Sequence, residues 1–253
     1  MNLKDCIKQF SYSDKLVKLL IYRIFKVIWI GVKISGNGRF RSETFTGKFF
    51  GKEVYQRVTF TISNRYPLIF RMCADCFLNQ NISNPSILSF GCSTGEEVFT
   101  IGEYLPHAKI TGVDINSWCI RQCLKVNRNP NFSFLNRNSK KFENATLLFD
   151  AIFCMAVFQR TENRTERNNQ IAQGHTFEQF EKEIDVLDVK LKVDGLLIID
   201  HSDFSFTDTV CVLRYNPLEF DKNRLIRERP LYDKNNRKVA DTQFNYRVFV
   251  KLA

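Results

Sequence analysis

The chain changes rhythm about a third of the way along. From residue 86 onward, apolar runs of strand length alternate with segments whose apolar positions recur every three or four residues. "SILSF" (86–90), "AKITGVDI" (108–115), "FSFL" (132–135), "LLFDAIFCMAVF" (147–158) and "GLLIIDHS" (195–202) read as strands. Between them, "EEVFTIGEYL" sets Val98, Ile101 and Leu105 on one helical face, and "SWCIRQCLKV" makes a second helix. "TFEQFEKEIDVLDVKLK" carries Phe177, Phe180, Ile184, Leu187 and Leu191 at 3/4 spacing, which predicts a long helix stopped at Gly195. This alternation predicts an α/β fold, a doubly wound and mostly parallel sheet covered on both faces. In the tail, "RPLYDKNNRKVADTQFNYRVFVKL" reads as two extended runs joined by a polar turn, a C-terminal antiparallel hairpin on the sheet edge.

The first third is different. "YSDKLVKLLIYRIFKVIWIGVK" (12–33) predicts a helix opened by a Ser-Asp cap near Ser13. Lys15, Lys18, Arg23, Lys26 and Lys33 fall within one half of its circumference. A membrane span would hold Arg23 and Lys26 near its centre, at about 2.5–3.5 kcal/mol each. The pattern suits an amphipathic helix, either packed on the domain or lying on an anionic membrane surface. Residues 34–56, polar and glycine-rich, read as a loop or lid, and a short helix follows Pro67. The organisation expected is a basic helix and lid-like segment over 1–58 and a Rossmann-like domain over 59–253.

Composition narrows the partners. The 253 residues carry a net charge of +10, which suits an anionic membrane surface or an acidic protein. Nucleic acid is disfavoured, since no basic-aromatic motif of a known reader is present. Eight cysteines without a secretory signal imply reduced thiols and a cytoplasmic location, peripheral at the membrane if the N-terminal helix binds there. Cys73 and Cys76 have half the spacing of a zinc site but no second half, and they share the apolar stripe of Ile69, Phe70 and Phe77. Packing is the expectation there, and no metal.

The chemistry concentrates at "GCSTGEE" (91–97). In open parallel sheets ligands sit beyond the carboxyl ends of the strands. The Gly91–Gly95 turn occupies that place after the first strand, and Asp114 closes the second strand 23 residues beyond Gly91, where a carboxylate can accept ribose hydroxyls. Neither the dinucleotide GxGxxG nor the phosphate-loop pattern is present, and Glu96 and Glu97 would repel a pyrophosphate. S-adenosylmethionine, with a positive sulfonium, an α-amino group and no phosphate, matches the acids.

With "GCSTGEE", "GVDIN", "FDAIFCMAVF" and, upstream, "TISNRYPLIF" (61–70), the chain resembles the chemotaxis-receptor glutamate methyltransferases, a branch of the class I S-adenosylmethionine-dependent enzymes, over roughly residues 59 to 203. The resemblance implies methyl transfer with S-adenosyl-L-methionine as cofactor. It makes Gly91, Ser93, Thr94 and Gly95 the cofactor turn, Glu97 a cofactor-contacting acid, and Asp114, with Ile115 behind it, the ribose anchor. Met155, Ala156 and Val157 would line the cofactor after the fourth strand, Asn136 or Asn138 would meet the adenine edge, and Thr61 and Arg65 would close over the methionine end or the substrate. The family usually has Cys-Arg-Asn-Val where this chain has Cys154-Met155-Ala156-Val157. The methyl acceptor therefore stays open, a carboxylate being one possibility. An amine or hydroxyl acceptor would need a base, for which His175, His201 and Asp203 are candidates, His201 closing the fifth strand. The alternatives are a non-catalytic binding module on the same fold and a membrane-surface interaction protein.

Overall fold

A computed structural model of the chain describes residues 16–50, 59, 61–144, 148–160, 175–218, 232–239 and 246–252. It divides into two units, Met1–Phe45 and Thr46–Ala253.

The first unit contains α1, Leu16–Gly36. The expected cap at Ser13 lies outside the described residues. Behind α1, where a loop is expected, stands a second helix, α2, Gly38–Phe49. The correction has a local cause. Asn37 caps the helix, its side-chain oxygen accepting the Phe40 N–H at 3.0 Å, and Arg39 pairs with Glu43 one turn on at 3.0 Å. These polar devices outweigh the cost of Gly47, and they leave no apolar stripe for a periodicity to detect. Residues 51–58 of the expected lid lie outside the described residues. No helix among the described residues is long and apolar enough to cross a membrane.

Among the described residues the second unit is built on a sheet of seven strands: β1 Ser86–Phe90, β2 Lys109–Asp114, β3 Phe132–Asn136, β4 Phe149–Met155, β5 Leu191–Asp200, β6 Tyr215–Pro217 and β7 Val248–Lys251. Their order is β3-β2-β1-β4-β5-β7-β6. The first five run parallel, while β7 pairs antiparallel with both β5 and β6. The mostly parallel α/β sheet and its antiparallel C-terminal edge are as expected, with one difference of detail. The strand beside β7 at the edge comes from Tyr215–Pro217, whereas Tyr232 and Lys238 form an isolated bridge.

Alternation along the strands feeds two cores. Leu88 and Phe90 of β1, Ile152 and Cys154 of β4 and Leu197 and Ile199 of β5 pack with Phe177, Phe180, Ile184 and Leu187 of helix α7, Phe177–Asp188. The intervening Ile87, Ala151, Phe153, Leu196 and Ile198 face the other way. They meet α3 (Pro67–Asn79), α4 (Glu96–Tyr104) and α5 (Ser117–Val126), whose stripes include Ile69, Phe70, Cys73, Val98, Ile101 and Cys123. Cys73 is thus core, its thiol pushed far up by burial. A one-turn helix, α6 (Lys140–Glu143), links β3 to β4.

Gly195 is not a helix stop. Helix α7 ends at Asp188, and Leu191 already belongs to β5, paired with Phe149. The β4–β5 register then shifts, Ala151 pairing with Leu196, and Asp194 takes φ +62°. Leu191 falls on the helical stripe by spacing, yet tertiary pairing puts it in a strand, and Gly195 lets the bulged strand return. A Cβ there would sit 2.8 Å from the Lys192 carbonyl oxygen.

Candidate functional site

The site begins where β1 ends. Gly91 and Cys92 both donate their N–H to the Val113 carbonyl of β2, at 2.7 and 3.0 Å, which draws the turn across the end of the sheet. Gly91 has φ +81°, and a Cβ on it would lie 2.6 Å from Val157 Cγ2. This is the close approach that requires glycine. Gly95, at φ +98°, is the N-cap of α4. The Thr94 hydroxyl donates to the Glu96 carboxylate at 2.7 Å, so Glu96 is held beside the start of its own helix.

Glu97 is held differently. It points back onto β1, where the Ser89 hydroxyl donates to its Oε1 at 2.7 Å. Ser89 is fully buried in an apolar strand, on the α4 side of the sheet. Burial pushes the Glu97 carboxyl up to about 8, against the Ser89 hydrogen bond and the charge of Arg65, both of which pull it down. A desolvated carboxyl that is costly to ionise alone is a seat for a cation.

Asp114 closes β2 and organises two turns. Its Oδ2 accepts the Ser93 N–H at 2.9 Å and its Oδ1 the Asn116 N–H at 2.7 Å, while burial raises it to about 6 against those two bonds. Each oxygen keeps a further lone pair with which to accept a hydroxyl. Behind it, Asn136 donates to the Ile115 carbonyl at 2.9 Å and to Ser117 Oγ at 3.1 Å, and its own oxygen accepts the Asn138 N–H at 3.0 Å. Asn136 therefore staples β3 to the β2–α5 turn and does not offer its amide to a ligand, which removes it as an adenine partner. Asn138 is exposed at the same edge.

The neighbouring strand ends complete the rim. Met155 is buried in the core below β4, so its side chain contributes packing. Ala156, at φ +60°, donates its N–H to the Asp200 carbonyl at 2.8 Å, and Val157 meets the Gly91 turn. The segment that carries Thr61 lies along the same side. Ser93 Oγ donates to the Thr59 carbonyl at 3.4 Å, and the Asn64 N–H to Thr100 Oγ1 of α4 at 3.1 Å. Thr61, half-buried, sits between these two ties.

A second cluster, which sequence reasoning brings up only through His201 and Arg65, lies at the end of β5. Asp200 accepts the His201 N–H at 2.8 Å, stands 3.1 Å from His201 Nδ1 and pairs with the Arg247 guanidinium. The Tyr66 hydroxyl is 3.4 Å from His201 Nδ1. His201 has φ +52°, a strained backbone of the kind that collects at functional sites. Arg247 is buried, and its Nε has no hydrogen-bond partner among the described residues. Beside it opens a cleft of about 580 Å³ lined by Arg65, Tyr66, Leu68, Arg71 and Arg247. Three guanidinium groups around one cleft favour an anion. His175 and Asp203 are elsewhere. They pair at 3.1 Å with both side chains wholly buried, and Asp203 also accepts the Arg160 N–H, so neither is placed to act as a base on a substrate.

The residues missed by sequence reasoning divide cleanly. Ser89 has a signal, a hydroxyl set between apolar Leu88 and Phe90 inside a strand, and Asp200 has the same strand-end position as Asp114. Arg247 and Tyr66 have none, because distant segments bring them together.

Residues 87–173, from β1 past β4, match the family described as a methyltransferase domain. Among curated proteins no sequence matches. Solved structures that the chain matches include PKMT2 from Rickettsia typhi, at 20% identity and TM-score 0.35 over 46% of this chain and 21% of that one. They also include the plantazolicin methyltransferase BpumL in complex with SAH, at 17% identity and TM-score 0.38 over 67% and 56% of the two chains. A third is SAM-bound CalS10, an amino pentose methyltransferase from Micromonospora echinaspora, at 17% identity and TM-score 0.36 over 52% and 48%. The chain thus spans about a fifth to just over half the length of these structures.

Proposed function

We propose that this protein is an S-adenosylmethionine-dependent methyltransferase and that its acceptor carries a carboxylate. The methyltransferase-domain match and the parallel sheet with an antiparallel last strand support the first half. The single observation that carries it is a pair of desolvated acids over the ends of two adjacent strands: Glu97, in the first turn of α4 and bonded to Ser89 of β1, raised to about 8, and Asp114, closing β2, raised to about 6. One suits a cation and the other a diol. The chain's own residues fit that cofactor: the Gly91–Gly95 turn leaves room for close backbone approach, Glu97 takes the positive end, Asp114 the ribose, and Ile115, Ala156 and Val157 the walls. The bound cofactor supplies a methyl group made electrophilic by its positively charged sulfur.

What remains for the protein is to hold a nucleophile in line and keep water out. The arginine-lined cleft supports a carboxylate for that role, as does the likeness of "GCSTGEE" and "TISNRYPLIF" to the chemotaxis-receptor glutamate methyltransferases. Arg65 and Arg247 hold the anion. Asp200 fixes Arg247, and His201 orients Tyr66 at the same wall. A carboxylate is already nucleophilic and needs no base. A second reading, a binding module without transfer, is favoured by Met155 and Ala156, which put no polar side chain where the family has Arg-Asn.

Calorimetry with S-adenosylhomocysteine tests the cofactor site. Binding by the native chain that is lost in Asp114→Ala is expected, and absence of binding sinks the proposal. Incubation of the protein with radiolabelled S-adenosylmethionine and cell extract tests the acceptor. A carboxyl methyl ester releases its label as volatile methanol in mild alkali. Alkali-stable label points instead to an amine or hydroxyl acceptor and a base role for His201. No incorporation, with cofactor bound, favours the module.

A further inference from the structure

Helix α1 is apolar over one half of its circumference and cationic over the other. At 100° per residue, Leu16, Leu20, Ile24, Val27, Ile28 and Val32 lie within one uninterrupted half-circle, while Lys18, Arg23, Lys26 and Lys33 lie in the opposite one. The apolar half is not covered. Leu16 is 84% exposed, Val27 69% and Ile28 56%. An uncovered apolar face of this length marks an interaction site. Within the cationic half stand two aromatic residues with cations over their rings: Lys33 Nζ lies 3.9 Å from the Trp29 ring centroid, and Lys26 Nζ 5.8 Å from that of Tyr22. From Lys15 to Ser42 the chain has seven Lys and Arg and no Asp or Glu.

From this arrangement we infer that α1 docks in the plane of an anionic lipid surface, its apolar half sunk among the acyl chains and its cations at the headgroups. The helix spans about 30 Å at 1.5 Å per residue, enough to lie flat. Its four cations and the absence of a membrane-spanning helix among the described residues set it on a bilayer and not through one. A protein partner's groove would take the same apolar stripe. Charge selects the occupant here, since an acid-free run of seven positive residues complements a continuous anionic surface. The inference is independent of the methyltransferase reading. It does not use Glu97, Asp114 or the arginine cleft.

The test is co-sedimentation of the full chain with vesicles of phosphatidylcholine alone and with about 30% phosphatidylserine. The expected result is binding to the anionic vesicles that falls at least tenfold on neutral ones and at least tenfold again in 0.5 M salt. Ile24→Glu/Ile28→Glu is expected to abolish binding while leaving circular dichroism and S-adenosylhomocysteine titration unchanged. If that double variant loses its fold, Lys18→Gln/Arg23→Gln/Lys26→Gln provides the second arm and is expected to weaken binding while α1 stays apolar. Failure to sediment with anionic vesicles overturns the inference. So does binding indifferent to either variant, and so does concentration-dependent self-association that the acidic variant removes without any vesicle binding, which would assign the face to a second copy.

Discussion

Glu97 shows how one side chain can link stability to ligand binding. Its folded value, about 8, lies above the ordinary carboxylate range, so the unliganded fold prefers the neutral form. Stability is therefore full below the unfolded value, falls as pH rises toward about 8, and is level beyond it. Glu97→Gln keeps an acceptor for the Ser89 hydroxyl and removes the ionisation cost. Its melting temperature is expected to exceed that of the native chain by a margin that grows between pH 5 and 8, read by differential scanning calorimetry, while S-adenosylmethionine affinity drops roughly tenfold or more. A cationic ligand favours the ionised form, so cofactor affinity of the native chain rises with pH up to about 8 and binding releases protons. Calorimetry in buffers of different ionisation enthalpy measures that release. Arg65→Ala removes a charge that pulls Glu97 down and is expected to move the pH midpoint of cofactor binding upward. Gly91→Ala meets Val157 at 2.6 Å with φ at +81°. It is expected to cost about 1–3 kcal/mol and to weaken cofactor binding. The double variant with Val157→Ala recovers only part of that loss, because the residue-157 Cβ stays 2.8 Å away and the backbone strain at φ +81° stays.

At the scale of elements, what is legible in the sequence depends on whether a segment's own side chains decide its state. β1, α4 and β2 announce themselves, since apolar period, glycine turn and strand-end acid fall in one short stretch, and α3 does so through Pro67 and the stripe of Ile69, Phe70, Cys73 and Phe77. α2 does not, because Asn37 and the Arg39–Glu43 pair support it without burying an apolar face. Leu191 misleads, since its spacing from Leu187 satisfies a helix and its pairing with Phe149 makes it a strand. The N-cap of α5 offers a measurable case. Asn116 Oδ1 accepts the Trp118 N–H at 3.0 Å, and its own N–H holds Asp114. Asn116→Ala is expected to lower stability by about 1 kcal/mol, or about 2–4 °C in melting temperature. It leaves the Asp114 backbone partner in place, so cofactor affinity should change little.

For the whole molecule, strand order gathers the chemistry. Placing β4 beside β1 and β5 beside β4 brings Val157 onto the Gly91 turn and sets Asp200 next to Ala156, while β7, entering antiparallel beside β5, delivers Arg247 to Asp200. Arg247→Ala tests that delivery. It strips the buried Asp200 carboxylate of its charge partner, and a stability loss of about 3–5 kcal/mol is expected in urea melts, with S-adenosylhomocysteine affinity retained because Glu97 and Asp114 are untouched.

Local periodicity and turn chemistry therefore determined the parallel α/β class, the glycine turn and the two acids, because each depends on residues within a strand or a helix turn of one another. Tertiary structure alone decided that Ser89 holds Glu97, that Asn136 serves as a staple, that His175 is sealed in the core and that Arg65, Arg71 and Arg247 share a cleft. The physical reason is that burial and charge proximity are properties of packing between distant segments, and no spacing along the chain encodes which strand end will lie beside which.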